Sequence, residues 1–550
     1  MSAITVNKKE LLRLVGKKLS DKEIEDKLSM MGAPVDAVLE TELEVDVSPN
    51  RPDWLSEQGL ARSLSSFVGA KTGLKQYKAA KERFMVVVDK AVHAVRPYTA
   101  CAVVRGLKLD DEKIREIIQV QEKLHMTFCR NRKKAAIGIY PLEKIQFPIT
   151  YTAKKPQEIV FVPLEGTREM NAAQMLAQHP TGRAYAHLLE GRSKFPVFID
   201  AKGNVLSVPP IINSQLTGKV ESTTKDVFIE CSGFDLRILK ILINIIVTML
   251  ADMGGRIVSV DVKYSKKITT PDLSPRKMKI DISAISSLIG IELKEAELKK
   301  LLEMMGFGYQ NKQVLIPAWR ADIMHLVDIA EDVAIAYGYN NIKPEIPQVA
   351  TIGSLDAFND FKETVANFLV GLGMLEAHTY HITNVPVQTK AMNCNAEVIE
   401  LANALTPDYN ALRAWMLPSL MEVLKVNKMK DYPQKLFTMG TVFSPNSKTP
   451  TQVEEITKMA VVSAHPRADY TDIRQILEYL FRALGLNVSF EETEHSSFVT
   501  GRVAQVKLDN HAIATIGEVH PQVITNFGLE MPVAAAEINL TELFFHLKKV

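Results

Sequence analysis

The segment Pro317-Ala-Trp-Arg-Ala-Asp-Ile-Met-His-Leu-Val-Asp-Ile-Ala-Glu-Asp-Val-Ala-Ile-Ala-Tyr-Gly-Tyr-Asn340 constrains this chain more than any other stretch. Four carboxylates, Asp322, Asp328, Glu331 and Asp332, fall within eleven residues and are interleaved with Ile323, Ile329, Val333 and Ile335. On a helix, Asp328, Glu331 and Asp332 project from neighbouring positions of one face. Like charges at that spacing repel by about a few tenths of a kcal/mol per pair, so something positive is expected to offset them. Hard carboxylate oxygens suit Mg²⁺. The competing reading is a solvated acidic face on an ordinary amphipathic helix.

At 550 residues the chain is too long for one core and is expected to divide into about three to five domains. Its longest apolar stretch, Leu239–Met253, is broken by Lys240, Asn244 and Asp252 and is too short to span a bilayer. The first residues lack the basic-then-apolar layout of a signal peptide. Cys101, Cys129, Cys231 and Cys394 form no CxxC pair, which points to a reducing compartment. His125 and Cys129 sit four apart, but two ligands without a second pair make a poor zinc site. A net charge of +2 is low for a free-standing nucleic-acid binder. Basic runs at Arg130–Lys134, Lys263–Lys267 and Arg276–Lys279 read as solvated surface or as a few RNA contacts within a larger complex.

The expected class is α+β multidomain. Residues 1–75 form a small N-terminal domain, with a helix from Ser20 or Asp21 through Leu28, a strand at Glu42–Val47 and the turn cluster Pro49-Asn-Arg-Pro-Asp53. Residues 85–255 carry many short strands, and 263–346 contain a helix at Leu293–Met305 before the acidic segment. Residues 350–550 read as one larger domain, with helices at Phe361–Leu372 and Pro418–Lys428 and a strand near Ala377–His381.

The run W-R-x-D-I-x-H-x-x-D-I-x-E-D-V-A-I-A-Y-G-Y-N resembles the signature of the beta subunits of phenylalanyl-tRNA synthetase, and D-V-S-P-N-R-P-D-x-L-S-x-x-G-L-A-R resembles their N-terminal signature. The length resembles the shorter archaeal/eukaryotic form. The resemblance implies that Asp322, Asp328, Glu331 and Asp332 complete a Mg²⁺ site shared with an alpha subunit. It also implies an (αβ)₂ heterotetramer, tRNA(Phe) as partner, ATP as substrate of the complex, and a cytoplasmic location. Residues 263–346 would then be a small metal-site and subunit-contact domain.

Asn403–Leu420 and Gly517–Gly528 resemble the family's class II synthetase-like core, an antiparallel sheet with flanking helices. Class II catalysis needs an arginine after G-x-V-F, to hold the α-phosphate, and an acid two residues further on. Here Gly440-Thr-Val-Phe is followed by Ser444, with Asn446 at the acid position. Aligning Ala535–Leu543 on the closing element puts Glu542 where a second arginine is needed. The core is therefore expected to be catalytically degenerate, and Arg413 to support packing or a subunit contact.

A phenylalanine site must reject tyrosine, and an apolar pocket excludes a hydroxylated analogue by only about 10²-fold. In the family a second, hydrolytic site on the 85–255 block supplies the rest. Matching Phe195–Asp200, Val205–Ser214 and Thr224–Gly233 puts this editing pocket on Phe198, Ser207, Glu230 and Ser232. The family more often has leucine, serine, aspartate and threonine there. On that basis Phe198 is expected to narrow the pocket, and Glu230 to push its carboxylate deeper. The alternatives are a free-standing editing hydrolase and an assembly subunit with weakened editing.

Overall fold

Short, nearly continuous runs of small and β-branched apolar residues, without polar alternation, build the largest sheet. Strand Tyr98–Arg105 reads Tyr-Thr-Ala-Cys-Ala-Val-Val-Arg and buries its six central residues. Ala100, Ala102 and Val104 face one core while Cys101 and Val103 face another. A sheet covered on both faces selects such sequences. The computed structural model describes residues 2–348 and 352–548 and forms two compact units, Met1–Ile346 and Pro347–Val550. The expected domain start at residue 350 lies outside the described residues.

The first unit begins with a three-stranded antiparallel sheet in the order Ser2–Asn7, Glu42–Val47, Val35–Val38. Helix Asp21–Met31 starts on Ser20, whose hydroxyl accepts from the Glu23 backbone while Glu23 reaches back, a reciprocal cap that fixes the start. The ten-stranded sheet follows. Its path places Val205–Val208, Phe195–Ile199 and Ile149–Lys154 towards one end and Tyr98–Arg105, Val227–Gly233 and Ala135–Pro141 towards the other. Helix Leu236–Asp252, the apolar stretch noted above, buries Leu239, Leu242, Ile243 and Ile246 in the core that also takes Ala100 and Ile229. A second small sheet, Arg276–Lys279, Gln313–Ile316 and Gly308–Gln310, carries helices Glu295–Met304 and Leu326–Tyr337.

The second unit is a seven-stranded sheet: Leu375–Glu376, Gln434–Pro445, Val453–Ala464, Val533–Asn539, His511–Val519, Phe498–Leu508, Ser489–Glu492. All neighbours are antiparallel except the edge pair of Leu375–Glu376 with Gln434–Pro445. Helices Ala357–Gly371, Tyr470–Ala483 and Leu540–Leu547 cover one face, and Leu417–Val426 with Pro521–Asn526 the other. The strand expected at Ala377–His381 does not form. Arg413 donates to the carbonyls of Thr379 and Tyr380, so those acceptors serve a buried guanidinium instead of a ladder. Among the described residues no helix is long and apolar enough to cross a membrane.

Candidate functional site

Strand register in the first unit brings distant residues to one cavity of about 650 Å³, whose lining includes Ser207, Asn213, Glu230, His125 and Gln121. Glu230 lies opposite Gly138 on one side and Cys101 on the other. Two residues beyond Gly138, the Tyr140 hydroxyl stands 2.8 Å from the Ser207 hydroxyl and 3.3 Å from Glu230 Oε1. Glu230 is 1% exposed and its Oε2 has no hydrogen-bond partner. Burial pushes its pKa up to about 8, against the opposing effects of Arg96, Tyr140 and Ser232. A carboxyl held near neutrality beside two hydroxyls can take a proton from water and return it.

Gly138 makes the arrangement possible. A Cβ there would fall 2.2 Å from the Tyr140 hydroxyl and 2.7 Å from Glu230 Oε1. Neither Gly138 nor Tyr140 was singled out by the motifs. The available signal was a glycine inside the wholly buried strand Ala135–Pro141, where glycine marks a close approach.

Of the four expected pocket residues, the structure puts Ser207 and Glu230 on the cavity wall but not Phe198 or Ser232. Phe198 pairs with Ser207 in register yet stacks on Tyr151, with ring centroids 4.2 Å apart, inside the core. Its bulk therefore fills the core rather than narrowing the cavity. Ser232 is fully buried beside Arg96, which donates to its hydroxyl at 3.2 Å and to its carbonyl at 2.7 Å.

His125 lines the same cavity but is no metal ligand: its Nε2 accepts from the Ile137 backbone at 2.9 Å. Burial lowers its pKa and raises that of the Cys129 thiol to about 12, so with the Nε2 lone pair engaged the pair offers neither a free imidazole lone pair nor a thiolate. In the basic run that follows, Arg132 turns inward. It donates to the Pro210 and Ile211 carbonyls and stacks on Tyr185.

The acidic segment leads into helix Leu326–Tyr337, and of its four carboxylates only Asp322 and Asp332 come together, on Arg320. Buried Arg320 pairs with Asp322 through two bonds, at 2.8 and 2.6 Å, and with Asp332 at 2.8 Å. Asp328 Oδ2 accepts from the Met324 and His325 backbone at 2.6 and 2.7 Å and so caps the helix. Glu331 is exposed. The positive partner that the crowded acids required is therefore an arginine of the chain itself. Among the described residues no group of three or more His, Cys, Asp or Glu side chains is arranged to hold a metal ion. The donor set does not fit Mg²⁺ within this chain.

In the second unit a cavity of about 640 Å³ is lined by Ser444, Lys458, His495, Trp415 and Glu537, with no arginine. Glu537 accepts from the backbone of Met416 and Leu417, both at 2.9 Å, and from Lys458 at 3.1 Å. It thus occupies the N-terminus of helix Leu417–Val426, a position suited to an anion. Glu542, the carboxylate expected to face the cavity, instead hydrogen-bonds Asn539 at the start of the last helix. Arg413 is spent on the carbonyls of Thr441, Thr379 and Tyr380, and Gly440 leaves room for its guanidinium.

Comparison with known proteins agrees with the resemblance. The phenylalanyl tRNA synthetase beta chain CLM domain family matches residues 342–540, and the tRNA synthetase B5 domain family matches residues 278–339. The phenylalanine–tRNA ligase beta subunit of Pyrococcus abyssi is 41% identical over 99% of this chain and 100% of its own length. That of Archaeoglobus fulgidus is 40% identical, over 99% of each. A solved N-terminal fragment of the phenylalanyl-tRNA synthetase beta subunit from Pyrococcus horikoshii has a TM-score of 0.59 and 40% identity, covering 62% of this chain and all of the fragment.

Proposed function

Because the chain belongs to the family of phenylalanine–tRNA ligase beta subunits, we propose that its first unit hydrolyses mischarged tyrosyl-tRNA(Phe) and that its second unit supports an adenylate-forming alpha subunit. The observation that carries the hydrolytic part is the Ser207–Tyr140–Glu230 cluster on the wall of a large cavity. In this reading Glu230 takes a proton from a water as the water oxygen bonds to the ester carbonyl carbon. The Ser207 and Tyr140 hydroxyls orient water and substrate. The tetrahedral species then breaks its bond to the ribose oxygen, which leaves with the proton held by Glu230, giving tyrosine and free tRNA.

The second unit offers no arginine to a triphosphate, and Glu537 repels one where class II chemistry needs attraction. The alpha subunit, in an (αβ)₂ assembly, is assigned the ATP and phenylalanine chemistry and shares tRNA(Phe) with this chain. A Mg²⁺ ion shared with alpha requires ligands from the second chain or release of Arg320 from Asp322 and Asp332, and Glu331 is the carboxylate left facing outwards.

Hydrolysis of tyrosyl-tRNA(Phe) by the purified complex tests the reading. Glu230→Gln is expected to slow it by about 10²-fold or more, and Ser207→Ala by less, without changing phenylalanine charging. Hydrolysis unaffected by both substitutions sinks the assignment. Phe198→Leu is expected to leave the rate nearly unchanged and to act on stability, since Phe198 lies in the core.

A further inference from the structure

Arg96 is a buried cation to which the hydrolytic reading gives no role. It is 3% exposed, and among the described residues no carboxylate lies within ion-pair distance of it. A guanidinium stays charged in a folded protein, and a buried charge without a counter-charge is costly. The carboxylate whose field reaches Arg96 is that of Glu230.

Geometry joins the two. Arg96 donates to the Ser232 hydroxyl at 3.2 Å and to the Ser232 carbonyl at 2.7 Å. Ser232 and Glu230 are two apart on strand Val227–Gly233, so their side chains stand on the same face. The Arg96 charge and the Ser232 hydroxyl both favour the ionised form of Glu230. The backbone of Arg96 reaches the other arm of the site. Its carbonyl accepts from the Tyr151 hydroxyl at 2.8 Å, Tyr151 stacks on Phe198, and Phe198 pairs in register with Ser207. One residue therefore bonds to the strand of Glu230 and to the packing behind Ser207.

Arg96 stands out among the titratable groups around Glu230. Burial holds Cys101, Cys231, Tyr140 and Tyr151 neutral, and it disfavours the charged form of His125 on the cavity wall. Arg132 and Glu122, also on that wall, pair with each other at 3.0 Å. Glu165 and Lys219 of the same lining are exposed and screened by solvent.

We propose that Arg96 is a positioning residue of the hydrolytic site: its guanidinium, held by Ser232, is the counter-charge of the Glu230 carboxylate when that carboxylate acts as base. The proposal rests on the hydrolytic reading. Without Arg96 the carboxyl keeps its proton to higher pH.

The test is the pH–rate profile of tyrosyl-tRNA(Phe) hydrolysis by the purified complex carrying Arg96→Met, Arg96→Lys or Ser232→Ala. Arg96→Met is expected to move the rising limb to higher pH and to slow hydrolysis at pH 7 by about tenfold or more, with the rate recovering at high pH. Arg96→Lys keeps the charge and is expected to return the limb towards its wild-type place. A rate lowered equally at every pH, with the limb unmoved, marks a merely structural arginine and overturns the proposal. Where Arg96→Met does not fold, Ser232→Ala decides: it is expected to move the limb the same way by less, and an unmoved limb overturns the proposal. Infrared titration of the Glu230 carboxyl, the C=O band lost in Glu230→Gln, reads the same shift without substrate. Hydrolysis that Glu230→Gln leaves unchanged sinks the hydrolytic reading and the positioning role with it. A band that titrates alike in wild type and Arg96→Met sinks the Arg96 pairing and leaves the reading standing.

Discussion

A single buried hydroxyl, that of Tyr140, ties Ser207 to Glu230, and a missing methyl group at Gly138 lets it do so. Gly138→Ala is therefore expected to cost about 1–3 kcal/mol by overpacking. It should also slow tyrosyl-ester hydrolysis by about 10²-fold, because a misplacement near 1 Å suffices. Paired urea unfolding and deacylation measurements check both effects; a variant with normal hydrolysis contradicts the geometry. Arg320 is the comparable residue of the acidic segment. Arg320→Met leaves Asp322 and Asp332 buried without their partner and should destabilise the first unit by about 3–5 kcal/mol. The strings that carry Ser207 and Glu230 coincide with strands Val205–Val208 and Val227–Gly233, and both residues reach the cavity wall. That Ser232 lies off the cavity wall could not be read locally, because the group that bonds it, Arg96, lies 136 residues away. The Arg320 pairing was equally hidden: sequence shows crowded acids but not which cation answers them.

Among the elements, the junction of helix Glu57–Phe67 with helix Asp111–Met126 has an unusual charge state. Glu116 accepts from the Glu57 backbone at 3.2 Å and from Gln58 at 3.1 Å. Burial, and then the Glu116 charge, push Glu57 up to about 8, and burial pushes Glu116 to about 7. Both folded values exceed the unfolded value of 4.5, so the folded state holds more protons between them. Stability at this junction is full below pH 4.5 and falls as pH rises towards 8, where both groups ionise. Urea unfolding followed by tryptophan fluorescence from pH 5 to 8.5 should show that decline, and Glu57→Gln should make it shallower, with Glu116 and Glu230 contributing the remainder. A slope unchanged in Glu57→Gln would assign the decline to other groups. Elements with local caps, such as the helix that starts on Ser20, were readable. The segment Ala377–His381 was not, because Arg413 takes the carbonyls that a ladder needs.

At the scale of the whole molecule, the first unit holds a cavity of about 650 Å³ and the second one of about 640 Å³. The cavity of the second unit is lined by Glu537 and by no arginine, so phenylalanine-dependent ATP–pyrophosphate exchange by this chain alone is expected to be nil. Exchange that survives rigorous removal of the alpha subunit would refute this. Ser444 after Gly440-Thr-Val-Phe was visible in sequence. The carboxylate that lines the cavity was not: Glu537 lies on strand Val533–Asn539, whereas Glu542 falls beyond its end in helix Leu540–Leu547. The central claim concerns Glu230, and the pH–rate profile of tyrosyl-tRNA(Phe) hydrolysis by the complex tests it most directly. A base with a pKa of about 8 predicts a rate that rises with pH and levels off above that value, and Glu230→Gln should abolish the rise. A profile that is flat in wild type from pH 6 to 9, or one whose rising limb survives in Glu230→Gln, would contradict the account.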